Sequence, residues 1–91
     1  MAVKVTAMRT HCSNKQKKLV SVTLTLRSTP SGPVVAVTEG GVTGYESFYL
    51  NDWKQPEGAP WCACWGTENV WDRLEIPGHE MDRALIMFRE E

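Results

Sequence analysis

Two cysteines, Cys62 and Cys64, are separated by a single residue in the segment WCACW. On a β-strand, residues i and i+2 face the same side about 6.6 Å apart, so both thiols could contact one metal ion. A structural zinc site needs four ligands, usually cysteine and histidine. Cys12 and His79 are the candidates for the other two positions. His11 is left out because it neighbours Cys12, and an extended backbone would point these two side chains apart. The pattern therefore gives a zinc-stabilised domain as one alternative.

Free thiols are the competing interpretation of the same cysteines. The Cys-x-Cys spacing is a weaker metal signal than two Cys-x-x-Cys knuckles, and the chain has no second knuckle. Three cysteines form an odd set, and the N-terminus lacks the apolar stretch of a secretory signal. A disulfide between Cys62 and Cys64 would strain an extended strand. We therefore expect buried, reduced cysteines that pack as small hydrophobes, no bound cofactor and a cytoplasmic location.

The tryptophans indicate binding rather than catalysis. Trp61 and Trp65 share one face of the predicted strand, and Trp53 lies in the polar loop NDWKQPEGAP. Tryptophan and tyrosine favour the centres of protein interfaces, so the predicted protein-binding residues are Trp53, Trp61, Trp65 and Tyr49. Core packing is the alternative fate of tryptophan. We expect two of the four tryptophans to be buried, with Trp53 the first candidate for exposure.

Charge is segregated along a chain whose net charge is only -1. Residues 1–38 carry six basic and no acidic side chains, whereas residues 39–91 carry four basic and eleven acidic ones. Such segregation suits docking to a charged partner. The alternative is that strands from the two halves lie side by side and pair their charges.

A basic loop gives a nucleic-acid alternative. The segment NKQKK places Lys15, Lys17 and Lys18 beside a predicted strand, and Arg9 could join them in contacting phosphates. A nucleic-acid-binding domain is usually strongly basic, whereas this chain is slightly acidic, so a solvated lysine loop is the simpler interpretation.

Enzymatic chemistry has little support in the sequence. There is no phosphate-binding glycine loop, no nucleophile elbow and no His-Glu-x-x-His helix. His79, Glu80 and Asp82 are neighbours, but catalytic groups normally converge from distant segments. A non-enzymatic protein is therefore expected.

The elements that position these residues are mainly strands. Residues 18–27 alternate apolar and polar side chains, which predicts a strand with one buried face. Further strands are predicted at 2–9, 34–38, 42–50, 61–65 and 70–76, with turns at 39–41 and 66–69. With 91 residues, the chain predicts a single domain, namely a small antiparallel barrel or sandwich.

The segment HEMDRALIMFREE permits two interpretations. Met81, Ala84, Leu85 and Phe88 have the spacing of an amphipathic helix, although Ala84, Ile86 and Phe88 also alternate as in a strand. We favour the helix because its residues are good helix formers. The expected fold class is therefore mainly β, or α+β with one short C-terminal helix.

Together these patterns predict a small non-enzymatic module that acts through protein–protein contacts. A chain of this size suits an accessory protein that modulates a larger host machine, of the kind that phage or mobile elements encode. No apolar run approaches the roughly 20 residues that span a bilayer, so no membrane contact is expected.

Overall fold

The computed structural model describes residues 1–11, 13–39, 47–67 and 70–90, with the backbone alone described at 65–67, 70 and 71. Within these residues, six antiparallel strands form one curled half-barrel sheet with a helix against it. The elements are β1 (Ala2–His11), β2 (Lys17–Thr29), β3 (Gly32–Glu39), β4 (Phe48–Tyr49), a 3-10 helix (Leu50–Asp52), β5 (Trp61–Thr67), β6 (Val70–Ile76) and α1 (Gly78–Arg89). The spatial order is β4, β3, β2, β1, β6, β5. The predicted fold class, mainly β with a C-terminal helix, is confirmed.

The core lies between the inner face of the sheet and α1. Alternation along β1 buries Val3, Val5 and Ala7, and every strand except the two-residue β4 buries side chains on this face. The helix contributes the side chains that its spacing predicts, Met81, Ala84, Leu85 and Phe88. Helical periodicity therefore prevails over strand-like alternation, because only the helix places these four side chains on one apolar face.

The helix also completes a free edge of the sheet. β1 pairs with β2 from Ala2 to Thr10 but with β6 only from Met8 to His11. Beyond that overlap, the Thr6 N–H donates to the Glu80 carboxylate at 2.7 Å, and the Arg83 guanidinium donates to the Lys4 carbonyl at 2.6 Å. Side chains of α1 thus satisfy β1 backbone groups that a longer β6 would otherwise pair.

The loop before β5 is held against the start of α1. The Gly58 N–H donates to the Asp82 carboxylate, with the shorter contact at 2.9 Å. Gly58 has a φ of +84°, which favours glycine, and its carbonyl oxygen lies where a side chain at Gly78 would be. An ideal Cβ on Gly78 would lie 1.8 Å from that oxygen, so the two backbones meet only because Gly78 has no side chain.

Some predicted boundaries differ from those observed. The fourth strand, predicted at 42–50, is present at Phe48–Tyr49 and gives way to the 3-10 helix at Leu50, while 42–46 lie outside the described residues. The turn predicted at 66–69 begins too early, because Gly66 and Thr67 still pair with β6. Of the turn predicted at 39–41, the structure describes only Glu39, which is the last residue of β3. Across the described ranges, no helix has the length and apolar character needed to cross a membrane.

Candidate functional site

The tryptophans divide between the core and the surface. Trp61 is only 8% exposed and belongs to the core, because odd positions of β5 face inward. Trp53 is half-buried, and the Phe48 ring lies between the two, with ring centroids 5.3 Å from Trp53 and 6.4 Å from Trp61. The surface platform predicted for Trp61 and Trp65 therefore lacks Trp61, and the side chains of Trp65 and Trp71 fall outside the description.

Trp53 lines a groove between the loop and the outer side of α1. The groove is about 360 Å³ in volume, and its lining comprises Trp53, Glu57, Asp82, Leu85, Ile86 and Arg89. Ile86 is 57% exposed, whereas Leu85 is buried and closes the floor. We call this feature the Trp53 groove. It is a concave apolar surface held in shape by the Asp82–Gly58 hydrogen bond and backed by the Phe48 ring.

Two further hollows lie beyond the Trp53 groove. A second hollow, of about 590 Å³, has Arg89 in its lining as the Trp53 groove does. A third hollow, of about 270 Å³, has Asn51 in its lining as the second hollow does. Tyr49, which is 43% exposed, lines the third hollow. Two of the four predicted protein-binding residues, Trp53 and Tyr49, thus line separate hollows, and the second hollow adjoins both of them.

Two of the three charged side chains that line the Trp53 groove are acidic. Glu57 and Asp82 are the acids and Arg89 is the base, while the exposed Asp52 and Lys54 flank Trp53 in sequence with opposite charges. Apolar side chains bordered by carboxylates provide a surface for an apolar group that carries a neighbouring positive charge.

A second feature is a buried ion-pair cluster on the inner face, at the opposite end of β1 from Ala2. Arg9 Nε donates to Asp72 Oδ2 at 2.6 Å, and Arg9 Nη1 lies 3.3 Å from the Glu39 carboxylate. Asp72 is 6% exposed and Glu39 9%. The predicted alternative that the two halves of the chain pair their charges is therefore confirmed at Arg9.

The ion-pair cluster borders a cavity of about 260 Å³. His11, Gln16 and Lys18 line it together with Arg9 and Asp72. Asp72 Oδ1 is buried and accepts no hydrogen bond from the residues that the structure describes, and His11 Nε2 is 3.9 Å from it. Sequence reasoning missed Glu39 and Asp72 as partners. The sequence did contain a signal for Asp72, because it lies on the same strand face as Leu74 and Ile76. An acidic residue on a buried face requires a charged or hydrogen-bonding partner.

The predicted nucleic-acid residues lie at one end of the β1–β2 pair, where Arg9 and Lys18 are register partners and border the same cavity. Lys15, Lys17 and Lys18 are exposed around the start of β2, and Lys15 has a φ of +58° in the preceding turn. Arg9 is half-buried and engages Asp72 and Glu39. The two carboxylates beside Arg9 oppose the approach of a phosphate to that residue.

The thiols of β5 lie on the outer face of the sheet. Cys62 and Cys64 are both exposed, so the expectation of buried cysteines is wrong for these two. Even positions of β5 face outward, while Trp61 and Ala63 occupy the buried positions. Arg73 Nη2 donates to Cys62 Sγ at 3.4 Å, and the thiol donates to Glu75 Oε2 at 3.7 Å. The hydrogen bond with Cys62 and the charges of Cys62 and Glu75 raise the pKa of Arg73.

The predicted four-ligand zinc site does not assemble from the residues that can be placed. Cys62 and Cys64 lie on the outer face, whereas α1, which carries the exposed His79, packs on the inner face. Cys12 lies outside the described residues. Among those described, no group of three or more His, Cys, Asp or Glu side chains is arranged to hold a metal ion.

Comparison of the chain with known protein families, curated proteins and solved structures finds no significant match in any of the three. The features of the molecule from which a function can be inferred are therefore the Trp53 groove, the ion-pair cluster and the outward thiols.

Proposed function

We propose that this protein is a small non-enzymatic binding module that holds a short segment of a partner protein in the Trp53 groove. The supporting observation is the groove itself, where Trp53, Leu85 and the largely exposed Ile86 line a concave surface beside carboxylates. An accessory module that docks on a larger assembly needs only such a surface, with no catalytic groups.

The surroundings of Trp53 give it the properties of an interface anchor. Its ring contacts Phe48 at a centroid distance of 5.3 Å, and the Phe48 ring in turn contacts the buried Trp61. An aromatic side chain held from behind loses little conformational freedom when a partner covers it. Rigid, half-buried aromatic residues are typical centres of binding energy in protein interfaces.

The charges of the groove define the partner segment. Glu57 and Asp82 outnumber Arg89, and they belong to the acidic second half of the chain. The partner is therefore a segment that presents an apolar side chain to Trp53 and Ile86 and a lysine or arginine to the carboxylates. The nucleic-acid alternative is weaker, because Arg9 is engaged by the carboxylates of Asp72 and Glu39, which oppose the approach of a phosphate.

Selection from a displayed library of random peptides tests this function. Enriched peptides should share an apolar residue next to a lysine or arginine, and calorimetric titration should give one site per chain. Trp53→Ala and Ile86→Asp should each weaken binding by about ten-fold or more, the loss expected for central interface residues. Glu57→Lys should weaken binding of the same peptides by reversing one of the charges.

Leu19 supplies a matched control. It is 66% exposed on the outer face of β2, away from the groove, so Leu19→Asp should leave peptide binding unchanged. Thermal unfolding of each variant separates loss of binding from loss of fold. Selected peptides whose affinity is the same for wild type, Trp53→Ala and Ile86→Asp would contradict the proposed function.

A further inference from the structure

The outward thiols of β5 form a pair that the proposed function does not use. Cys62 and Cys64 occupy alternate positions of one strand, so both project from the same face about 6.6 Å apart along the backbone. In the described part of the sheet, β5 pairs with β6 alone and is an edge strand. A solute can therefore reach both sulfur atoms from the open side.

The spacing of the two thiols favours a bridging ion over a disulfide. A disulfide requires a Cβ–Cβ distance of about 3.5–4.5 Å, which is well below the spacing of residues i and i+2 on a strand. A linear sulfur–metal–sulfur unit with bonds of about 2.3 Å, the value for zinc thiolates, needs sulfur atoms only about 4.6 Å apart. Rotation about the Cα–Cβ bond of each cysteine changes the sulfur separation without moving the backbone, so the linear unit is compatible with the pairing of β5 with β6.

The number of ligands favours a soft monovalent ion over zinc. Structural zinc requires four ligands, and the described residues provide no third one in a suitable arrangement. Among the metals that thiolate ligands favour, namely Cu(I), zinc and iron–sulfur clusters, Cu(I) is the monovalent ion. Two thiolates alone are a complete set for an ion with linear coordination, which Cu(I) adopts with sulfur.

We propose that Cys62 and Cys64 form a two-coordinate site for Cu(I), with the Arg73 guanidinium balancing the charge of the complex. Binding converts two thiols into two thiolates and releases two protons to solvent, while copper remains in the Cu(I) state. The product carries one net negative charge. Arg73 is the register partner of Cys64, and its Nη2 atom already lies 3.4 Å from Cys62 Sγ, so a positive charge is in place beside both sulfurs.

Glu75 disfavours Cu(I) binding, whereas Arg73 favours it. Its carboxylate accepts a hydrogen bond from the Cys62 thiol at 3.7 Å and forms an ion pair with Arg73 at 3.4 Å. Once the thiol proton leaves, the carboxylate faces a thiolate and repels it. The negative charge of Glu75 is therefore unfavourable beside the negatively charged complex, and removing it should favour metal binding.

Competition for Cu(I) tests the site directly. Fully reduced protein is titrated under anaerobic conditions with Cu(I) held by a chromogenic chelator, and copper transfer is followed by the loss of chelator absorbance. Wild type should take one Cu(I) per chain, and its sedimentation coefficient at that loading should equal that of the copper-free protein. Cys62→Ser and Cys64→Ser should each abolish transfer, whereas Cys12→Ser, the matched control, should retain it.

The charged neighbours give a second readout that a fortuitous pair of thiols would not show. Arg73→Gln should weaken Cu(I) affinity by up to about five-fold, the scale of an exposed charge pair, and Glu75→Gln should strengthen it by a similar factor. The site is overturned if no copper leaves the chelator, if Cys12→Ser abolishes transfer, or if copper bridges two chains. Equal affinity in wild type and both charge variants would overturn the role of Arg73.

Discussion

The carboxylate of Glu80 in α1 accepts a hydrogen bond from the backbone N–H of Thr6 in β1 at 2.7 Å. Arg83 holds the same carboxylate, with Nε 3.2 Å from Oε1. The side chain of Glu80 is 15% exposed, and that of Arg83 is 48% exposed. One acidic side chain thereby joins the helix to the free edge of the central strand.

The Glu80 contact predicts a dependence of stability on pH. The hydrogen bond from Arg83, followed by that from the Thr6 N–H, lowers the pKa of Glu80 below its ordinary value of 4.5. A carboxyl whose pKa is lowered by folding stabilises the protein above its unfolded pKa, and this contribution is lost as the pH falls through the folded pKa. Urea unfolding should therefore show Glu80→Gln less stable than wild type at neutral pH, with the difference vanishing in acid. The exposed Glu90→Gln is the control, and an equal pH response from both variants would contradict the assignment.

The close approach of Gly58 and Gly78 predicts a packing defect from a single methyl group. Gly78→Ala should lower the free energy of unfolding by about 1–3 kcal/mol, the usual cost of overpacking, although alanine is the better helix former. His79→Ala at the exposed next position should be close to neutral. Denaturant titration measures the free energy of unfolding of both variants. A Gly78→Ala variant more stable than wild type would contradict this prediction and show that the loop around Gly58 moves aside without a loss of stability.

The different positions of Trp61 and Trp53 predict different costs of truncation. Trp61→Ala empties part of the core and should cost about 3–5 kcal/mol. Trp53→Ala should cost clearly less, because the ring is half-buried and one side already faces solvent. Equal losses in chemical unfolding would mean that Trp53 serves the core as much as Trp61 does.

Two ion pairs of different burial predict different coupling energies. The side chains of Arg9 and Asp72 are 28% and 9% exposed, whereas those of Arg73 and Glu75 are 53% and 46% exposed. Double-mutant cycles with alanine should give about 1–3 kcal/mol for the first pair and below about 1 kcal/mol for the second. A coupling between Arg9 and Asp72 no larger than that of the exposed pair would contradict the burial argument.

Local patterns were sufficient to predict most of the fold. Alternation in residues 18–27 and helical spacing in 81–88 each depend on near neighbours, so burial of the matching side chains follows directly from the sequence. The position of β6 beside β1 depends on contacts between segments far apart in the chain. No local pattern specifies which strands become neighbours, and the partners of Arg9 were therefore missed.

The candidate site was predicted only in part. Trp53 could be selected because an aromatic side chain in a polar loop indicates exposure, and Tyr49 because tyrosine favours interfaces; each lines a surface hollow. Ile86 could not be selected from the sequence, because its place in the groove depends on how the loop from Trp53 to Pro60 packs beside α1. The sequence also could not predict whether the cysteines or the tryptophans of WCACW would face the core. An alternating strand does not itself reveal which of its faces the rest of the protein covers.

The central position of β1 has a consequence for the order of folding. β1 and β2 form a hairpin between close neighbours in sequence, but the other edge of β1 must wait for β6, with Arg9 and Asp72 separated by 63 residues. Closing so long a segment makes this pairing a slow step. Until β6 arrives, β1 is an unprotected edge next to an uncovered apolar face, which is the condition under which partly folded chains associate. The late β6–α1 segment therefore both completes the sheet and ends the period in which the nascent protein is most prone to aggregate.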